Sequence, residues 1–354
     1  MLKAMVVGVF SLALRPSTIL FVRSFQLNTA SQLSKPRTFH NINNIRQMSL
    51  STKGANDASK SEHGTDDCSQ NESVKEKQPL YLAEGIFSVE KPKDWTSNDV
   101  VSYIRGILER EAKSRGLKVS RPGKRRRGKN SNTIKVGHGG TLDPLATGVL
   151  VIGVGSGTKN LQNYLKGGKR YVANARFGEE TDTLDTEGKI IKTVSTENIT
   201  VDSIQDILPQ FRGDIMQVPP VFSALKKDGK KLYEEARKGK TAEDLGIEAR
   251  PVVINELELI ENPEERLPCF SIDVNCGGGT YIRSLIRDIA HALDSCAVMT
   301  GLKRTQQGQY SLNDALQKDD WSAESIYKAI RIENEKREQQ QNDSSTEEVL
   351  KKQA

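Results

Sequence analysis

Apolar and polar residues follow two distinct periods between residues 85 and 312 of the chain. Alternating apolar positions and short apolar runs predict strands at residues 86–89, 149–152, 171–177, 252–260 and 270–274. Apolar residues three and four apart predict amphipathic helices at 97–108, 201–211 and 282–293. Ser97 is the expected N-cap of the first helix, and Thr158 that of a shorter helix. Because no repeat and no regular strand–helix–strand alternation occurs, we expect an α+β fold with a mixed, largely antiparallel sheet flanked by helices.

The ends of the 354-residue chain lack this periodicity, in line with a hydrophobic content of only 36%. We expect one folded domain at 81–315, a disordered linker at 57–80 and a polar helix or tail at 316–354. The longest apolar run near the start is too short for a bilayer, which takes about 20 apolar residues, so no membrane segment is expected. The four cysteines form no CxxC pair, which argues against a disulfide scaffold and a zinc ribbon.

Positive charge is concentrated in two blocks. Residues 1–56 hold seven Lys and Arg and no acidic residue, and residues 112–135 hold ten and none. Since the net charge of the whole chain is only +6, the remainder of the chain is acidic. The first block has the composition of a mitochondrial presequence, with a disordered basic tail as the alternative. Translation from Met48 would give a form without this leader.

The second block includes Arg125, Arg126 and Arg127 and has no aromatic residue, so it cannot stack nucleic-acid bases. Three interpretations fit its composition: a phosphate-binding loop, a nuclear import signal and a merely solvated run. Ten positive charges inserted into an otherwise acidic domain favour contact with nucleic-acid phosphates, which would supply affinity without sequence preference. Use as an import signal is compatible with that contact.

The segment 153–159 has the glycine content of a phosphate-binding loop but not its spacing. Thr158 stands between Gly157 and Lys159, where a Walker loop has glycine directly before the lysine. Thr158 also takes the place of the third glycine of a dinucleotide fingerprint. A glycine-rich turn from a strand to a helix is therefore predicted.

A second group of polar residues suggests a cation site. Asp182, Asp185 and Glu187 are spaced like oxygen ligands, but Gly188 is misplaced for a calcium loop. We therefore expect a solvated hairpin turn at 185–188 and no bound metal.

The densest candidate for chemistry is the run 137–148, whose only acidic residue is Asp143. Considered alone, Asp143 followed by Pro144 is typical of a helix N-cap. The glycines before it exceed what a cap requires, and they would let another backbone approach closely, as in a ligand groove. A single carboxylate in such a groove could act as a nucleophile or a base towards a nucleotide.

The same run, GHGGTLDPLATGVL, is similar to the signature GHxGTLDPxATGxL of the TruB family of tRNA pseudouridine synthases. Four further segments resemble the family in the same order, so that the similarity spans residues 85–312. They are Lys91-Pro92 with Thr96-Ser97, Lys169-Arg170-Tyr171, the run 218–226, and the run 279–285 followed by Leu302-Lys303-Arg304.

Two departures from the bacterial pattern bear on the branch of the family. Gly139 stands where bacterial members usually have threonine, and the basic block 112–135 is inserted. The chain thus most resembles the eukaryotic members that modify tRNA position 55 in mitochondria and nucleus. Residues 313–354 are too short and polar to build a PUA domain, so we expect none, which argues against the guide-RNA-dependent branch.

The resemblance implies a role for each matching residue. Asp143 would be the catalytic carboxylate, Tyr171 would stack on the flipped uracil, and Arg283 would pair with Asp143. His138 would fill the space that the flipped nucleotide leaves. The residues that would line or brace the pocket are Lys159, Tyr281 and Leu302. Considered alone, the two tyrosines could equally be half-buried aromatics, Arg283 a surface charge at a helix start, and Leu302 plain core.

The implied reaction isomerises uridine to pseudouridine with base flipping, and it needs no cofactor and no metal. Two alternatives remain at this level: an RNA chaperone that remodels the tRNA elbow, and a synthase acting mainly on mRNA or other RNA hairpins. We expect a monomer whose partner is tRNA, located in mitochondria and nucleus.

Overall fold

The computed structural model describes residues 84–117, 119, 133–227, 229–261 and 266–353. The chain divides into two units, Met1–Glu72 and Ser73–Ala354, and all described residues belong to the second. The leader at 1–56, the linker at 57–80 and the three arginines at 125–127 lie outside the described residues. No helix in the described part of the chain is long and apolar enough to cross a membrane.

The described part of the domain combines α-helices with one large sheet and two small sheets of two strands each. The strands are β1 Gly85–Lys91, β2 Val136–His138, β3 Thr147–Val154, β4 Lys169–Phe177, β5 Glu179–Thr181, β6 Ile190–Thr193, β7 Gly213–Gln217, β8 Lys226–Lys227, β9 Lys230–Lys231, β10 Arg250–Ile260, β11 Cys269–Cys276, β12 Ala297–Gln307, β13 Tyr310–Ser311 and β14 Ala315–Leu316. The α-helices are α1 Ser97–Ser114, α2 Leu161–Lys166, α3 Val201–Ile207, α4 Leu232–Ala236, α5 Ile282–Ala292 and α6 Ala323–Gln353.

The main sheet runs in the order β14-β1-β3-β12-β4-β11-β10-β7, with β2 paired to β3 and β13 to β12, and the small sheets are β5-β6 and β8-β9. Only the β1–β14 and β3–β12 pairs are parallel, and the other pairs are antiparallel. The predicted mixed, largely antiparallel α+β fold is therefore confirmed. It brings β3, which follows the Asp143 segment, close to β4 and β12 in the middle of the sheet.

Strand β12 lies at the centre of the sheet, yet the hydrophobic pattern did not predict it. Its register against β4 shifts between Met299 and Gly301 and again between Arg304 and Gln306. Each irregularity reverses which side chains face the core, so period-two alternation is lost. A strand whose buried positions include an arginine and a glutamine has no apolar signature.

Helix α1 begins where it was predicted, but its cap is Thr96 and not Ser97. The Thr96 hydroxyl accepts from the Asp99 amide at 3.1 Å, and the Asp99 carboxylate accepts from the Thr96 amide at 2.9 Å, which completes a capping box. Ser97 is buried and serves another contact: its Oγ accepts from the Leu142 amide at 2.8 Å and donates to the Leu142 carbonyl at 3.2 Å. The helix start is thus joined to the segment that contains Asp143.

The glycine-rich run after β3 is a strand-to-helix turn, as predicted. A 3-10 helix, Gly155–Asn160, precedes α2, and the Thr158 hydroxyl donates to the Gly155 carbonyl within it. Thr158 therefore does not cap α2. A Cβ on Gly157 would lie 2.0 Å from the Gly85 carbonyl oxygen, so only glycine permits this turn to pack against β1.

The folded domain extends beyond the expected boundary at residue 315. Strand β14 pairs with β1, and Trp321, Ile326 and Ile330 are buried in the core beside α1. The first turns of α6 are therefore part of the domain and not a polar tail. A second core cluster packs α5 and α3 against β4, β10 and β11, and a third lies beside α2.

Candidate active site

Asp143 lies in the loop between β2 and β3. The Ala146 amide donates to the Asp143 carbonyl at 3.1 Å, which closes a turn, and no helix begins at Pro144. The interpretation of Asp143 as a helix N-cap is therefore wrong. The side chain is left available for other contacts, with 33% of it exposed.

A fully buried lysine holds the loop that contains Asp143 in place. Lys91, the last residue of β1, donates from Nζ to the carbonyls of Pro92, Trp95 and Pro144, at 2.8, 2.5 and 3.2 Å. The Pro144 carbonyl also accepts from the Asp94 amide at 2.9 Å. Burial lowers the pKa of Lys91 to about 8, while the nearby Asp143 carboxylate opposes that shift. The backbone next to Asp143 is thus fixed to the loop that precedes α1.

Asp143 pairs with Arg283, whose Nε lies 3.0 Å from Asp143 Oδ2. Arg283 is in the first turn of α5, at an end of that helix that faces the Asp143 loop. Only 6% of the Arg283 side chain is exposed, so its interpretation as a surface charge is wrong. The pairing that the family resemblance implied is present, although 140 residues separate the two positions in sequence.

Three further contacts fix the Arg283 guanidinium. Nη1 donates to the Thr183 carbonyl at 2.8 Å and lies 3.3 Å from Asp185 Oδ2, and Nη2 donates to the Phe222 carbonyl at 3.0 Å. Asp185 is itself buried, so the turn at 185–188 is not merely solvated, as had been expected. The structure therefore adds Asp185 to the site, as the second carboxylate on one arginine.

Burial raises the pKa of the Asp143 carboxyl above its ordinary value. The positive charges of Arg283 and Lys91 oppose that rise, whereas the negative charge of Asp185 adds to it. The site thus holds a poorly hydrated carboxylate whose ionised form is stabilised by a rigid arginine. Such a group can serve as a nucleophile or as a base.

Tyr171 and Arg304 lie side by side on neighbouring strands, in register between β4 and β12. Tyr171 is 6% exposed, and burial raises the pKa of its hydroxyl, an effect that the adjacent guanidinium of Arg304 opposes. Arg304 is fully buried and donates from Nε to the Val149 carbonyl at 2.7 Å and from Nη2 to the Gly140 carbonyl at 3.2 Å. It therefore connects both ends of the Asp143 loop to the strand beside Tyr171.

One glycine is required for this connection. Gly148 has φ +101°, and a Cβ there would lie 2.2 Å from the Arg304 carbonyl oxygen.

The burial of Arg304 and Lys91 was not predicted from the sequence, in which both residues are only parts of matching motifs. No hydrophobic or charge pattern in the sequence indicates that either cation is buried, because each depends on a backbone carbonyl from a distant segment. That carbonyl is the one of Pro144 for Lys91, and those of Val149 and Gly140 serve Arg304.

The remaining predicted site residues lie at different distances from this centre. Tyr281 directly precedes α5, and the Gln217 side chain accepts from its amide at 2.8 Å and donates to its carbonyl at 3.1 Å. Burial raises the pKa of the Tyr281 hydroxyl, which also senses the charge of Asp143. Leu302 is half-buried and packs against the core cluster that contains Tyr171.

His138 and Lys159 flank the glycine loop. His138 ends β2, and its Nδ1 accepts from the Gly140 amide at 3.4 Å, while burial lowers its pKa and favours the neutral ring. Lys159 is exposed in the 3-10 helix, where its charge acts on Glu84. The structure thus brings together Asp143, Arg283, Tyr171 and Tyr281, with His138 beside them, whereas Lys159 lies apart.

The described residues contain no group of three or more His, Cys, Asp or Glu side chains that could hold a metal ion. The charged groups at the site are instead the carboxylates of Asp143 and Asp185, the Arg283 guanidinium that binds both, and the Lys91 ammonium, which donates to carbonyl oxygens. That arrangement suits proton transfer or nucleophilic attack by Asp143.

Comparisons with known proteins agree with the motif similarity. Residues 126–282 match the family model described as TruB family pseudouridylate synthase (N terminal domain). The chain is 43% identical over 252 residues to pseudouridylate synthase TRUB1 of Mus musculus, covering 71% of each chain. It is 40% identical over 256 residues to tRNA pseudouridine synthase B of Parabacteroides distasonis, covering 72% of this chain and 99% of that protein. A chain in the crystal structure of a Cbf5-Nop10-Gar1 complex aligns at 27% identity with a TM-score of 0.48, covering 69% of this chain and 56% of that one.

Proposed function

Because this chain belongs to the TruB family of pseudouridine synthases, isomerases that act on uridine in RNA, we propose that it converts the T-loop uridine at position 55 of tRNA to pseudouridine. The observation that supports this most is the ion pair of Asp143 with the buried Arg283, next to Tyr171, at the positions where the family motif requires them. The name of the relative from Parabacteroides distasonis, tRNA pseudouridine synthase B, supports tRNA as the substrate.

The proposed reaction conserves all atoms of the uridine. The N1–C1′ glycosidic bond breaks, the uracil turns within the site, and a C5–C1′ bond forms. The proton on C5 is then lost while N1 gains one, so the reaction needs no oxidant and no added group. Asp143 begins this sequence by attacking the nucleotide or by removing a sugar proton, and Arg283 keeps its carboxylate charged and oriented.

The target base must first leave its stack, at a cost of a few kcal/mol. In this proposal Tyr171 receives it, and stacking of the uracil on the ring would offset about 1–3 kcal/mol of that cost. Tyr281 and Leu302 border the same space, and His138 takes the place of the base in the RNA. The burial of Tyr171 between strands fixes its ring before the RNA arrives, so little further ordering is needed.

The direct test uses the full-length protein and an unmodified tRNA transcript. We expect stoichiometric pseudouridine at the T-loop uridine, detected by mass spectrometry of nuclease fragments. A transcript with cytidine at that position is the matched control and should remain unmodified. Conversion of mRNA hairpins in preference to tRNA would contradict the assignment of tRNA as the substrate. RNA refolding without any pseudouridine would instead support a chaperone.

We place this activity in mitochondria and nucleus. The acid-free leader at 1–56 supports import into mitochondria, and the basic block at 112–135 supports nuclear entry. Residues 1–56 fused to a fluorescent reporter should direct it to mitochondria, and the chain started at Met48 should accumulate in nucleus and cytosol. A diffuse signal from the leader fusion would contradict the first assignment.

A further inference from the structure

An open pocket of about 430 Å³ lies between α2, the turn after β12 and the middle of α6. Its polar lining comes from Asn160, Asn163, Tyr164, Gln309 and Arg337, together with two glycines. The proposed reaction uses none of these residues. The pocket is thus separate from the Asp143 site, and its lining is rich in hydrogen-bond donors.

The one charged group in the lining is held in place by contacts on α6 and α2. Arg337 Nη2 donates to the Tyr164 hydroxyl at 2.9 Å, and Arg337 Nε lies 3.2 Å from Glu333 Oε1. Gln309 Nε2 donates to the same tyrosine hydroxyl at 2.8 Å and to Glu333 Oε1 at 3.0 Å. Glu333 is buried and does not line the pocket, so the positive group is the one presented to solvent.

The surroundings of the pocket are cationic on the α2 side, whereas on α6 the charge of Arg337 is paired with that of Glu333. Between residues 112 and 178 the chain has a single acidic residue, Asp143. Lys159, just before α2, and Lys166, its last residue, are exposed, and no carboxylate lines the pocket.

The Gln309 amide already donates within the protein. A pocket with one guanidinium, the side-chain amides of Asn160 and Asn163 and nearby lysines matches a phosphate with its ribose, because phosphate and sugar oxygens accept from such donors.

The pocket shares Tyr164 with the Asp143 loop. A Cβ on Gly139 would lie 2.7 Å from the Tyr164 Cβ, so the base of the tyrosine side chain packs directly on that loop. Gln307 Nε2 donates to the carbonyls of Gly139 and Tyr164, at 2.9 and 3.4 Å. The pocket and the Asp143 loop are therefore joined through α2 and β12.

We propose that this pocket binds a backbone phosphate of the substrate RNA, with Arg337 as the charged donor and Asn163 as an amide donor. The proposal rests on the proposed function, since it names a second contact of the same RNA. It assigns α6, which follows the catalytic motifs in sequence, a part in substrate binding.

The first test places a negative charge in the pocket without changing side-chain shape. Asn163→Asp should weaken binding of an unmodified tRNA transcript about fivefold at moderate salt, since an exposed charge interaction is worth up to about 1 kcal/mol. It should also reduce the slope of log K against log[salt]. Gln162→Glu is the matched control, because it adds the same charge to the same helix at an exposed position outside the pocket.

The second test separates phosphate binding from a purely structural role of Arg337. Arg337→Gln should weaken tRNA binding and lower the salt slope by about 0.7–0.9, the value of one lost phosphate contact. Glu333→Gln breaks the same ion pair but leaves the cation, so its tRNA affinity should equal or exceed that of the wild type. If Arg337 only locks α6 in place, both variants will lose thermal stability and neither will change the salt slope.

Pseudouridine formation by the wild type distinguishes failure of the pocket proposal from failure of the proposed function. Pseudouridine formation by the wild type, together with unchanged tRNA binding by Asn163→Asp and Arg337→Gln, would overturn the pocket and leave the proposed function intact. Equal weakening by Asn163→Asp and Gln162→Glu would also overturn it, because the effect would then be one of net charge. Absence of pseudouridine in the wild-type reaction would instead contradict the proposed function.

Discussion

The Nε atom of Arg283 lies 3.0 Å from Oδ2 of Asp143, and the same guanidinium lies 3.3 Å from Asp185 Oδ2. One buried cation thus holds two carboxylates, of which only Asp143 has a substantial exposed fraction. The arginine is satisfied on its other side by backbone carbonyls, so it cannot follow Asp143 if that side chain moves. The Asp143 carboxylate is therefore held in a fixed orientation.

Asp143→Asn should abolish pseudouridine formation while the protein remains folded. An amide has nearly the same shape and can still accept from Arg283 Nε, but it is a far weaker nucleophile and base than a carboxylate. The reaction of the variant with tRNA, with enzyme in excess, should give no detectable product. Asp94→Asn, at the neighbouring loop, is the control. A rate near that of the wild type would show that Asp143 is not the reacting group.

Asp185→Asn should move the acidic limb of the pH–rate profile to lower pH. In the proposed mechanism, activity requires ionised Asp143 and therefore falls as the pH drops through the pKa of that carboxyl. Because the charge of Asp185 raises the pKa of Asp143, removing that charge lowers it. Single-turnover rates measured from about pH 4.5 to 8 test this. The exposed Asp182→Asn, three residues away, should leave the limb in place, and an upward shift in Asp185→Asn would contradict the prediction.

Gly139→Ala should destabilise the domain and lower activity. Its new Cβ would lie 2.7 Å from the Tyr164 Cβ, which is attached to the backbone of α2 and cannot move aside as a flexible side chain could. Overpacking of this kind costs about 1–3 kcal/mol. Gly137→Ala is the matched control in the same motif, because it meets only the Leu161 Cδ1 at 3.1 Å. Equal melting temperatures for the two variants would refute the steric argument.

The free energy of unfolding should include a contribution from Lys169 that increases as the pH rises from about 8 to 10.5. Burial lowers the pKa of Lys169 from 10.5 to about 8, so within this window the unfolded chain binds more protons than the folded one. The gain amounts to about 3 kcal/mol over the window. Denaturant unfolding at several pH values should show a rise that is larger in the wild type and in the exposed control Lys166→Met than in Lys169→Met, where the contribution of Lys91, whose pKa is also lowered to about 8, remains. Parallel curves for all three proteins would contradict it.

Neutralising Arg125, Arg126 and Arg127 together should weaken tRNA binding and flatten its salt dependence. Each lost phosphate contact should reduce the slope of log K against log[salt] by about 0.7–0.9. The measurement is a salt titration of tRNA affinity for the triple variant and the wild type. An unchanged slope would leave the block as an import signal or a solvated loop.

The elements with regular periodicity were predictable from local sequence. The alternation of Tyr171, Ala173, Ala175 and Phe177 correctly predicted β4, and the apolar face from Ile282 to Ile289 correctly predicted α5. Strand β12 was not predictable, because its bulges disrupt the alternation and its buried positions include Arg304 and Gln307. The end of the domain was also misplaced, since the few apolar residues at the start of α6 are diluted by charged ones.

The sequence by itself determined the family, the α+β class, the most regular elements and the identity of Asp143 as the candidate carboxylate. Those features depend on neighbouring residues or on a contiguous motif. Only the tertiary structure decided that Lys91, Arg283 and Arg304 are buried around the Asp143 loop, that Asp185 shares Arg283, and that no helix begins at Pro144. A buried charge is tolerated only where partners from distant segments satisfy it, and no local pattern specifies where those partners meet.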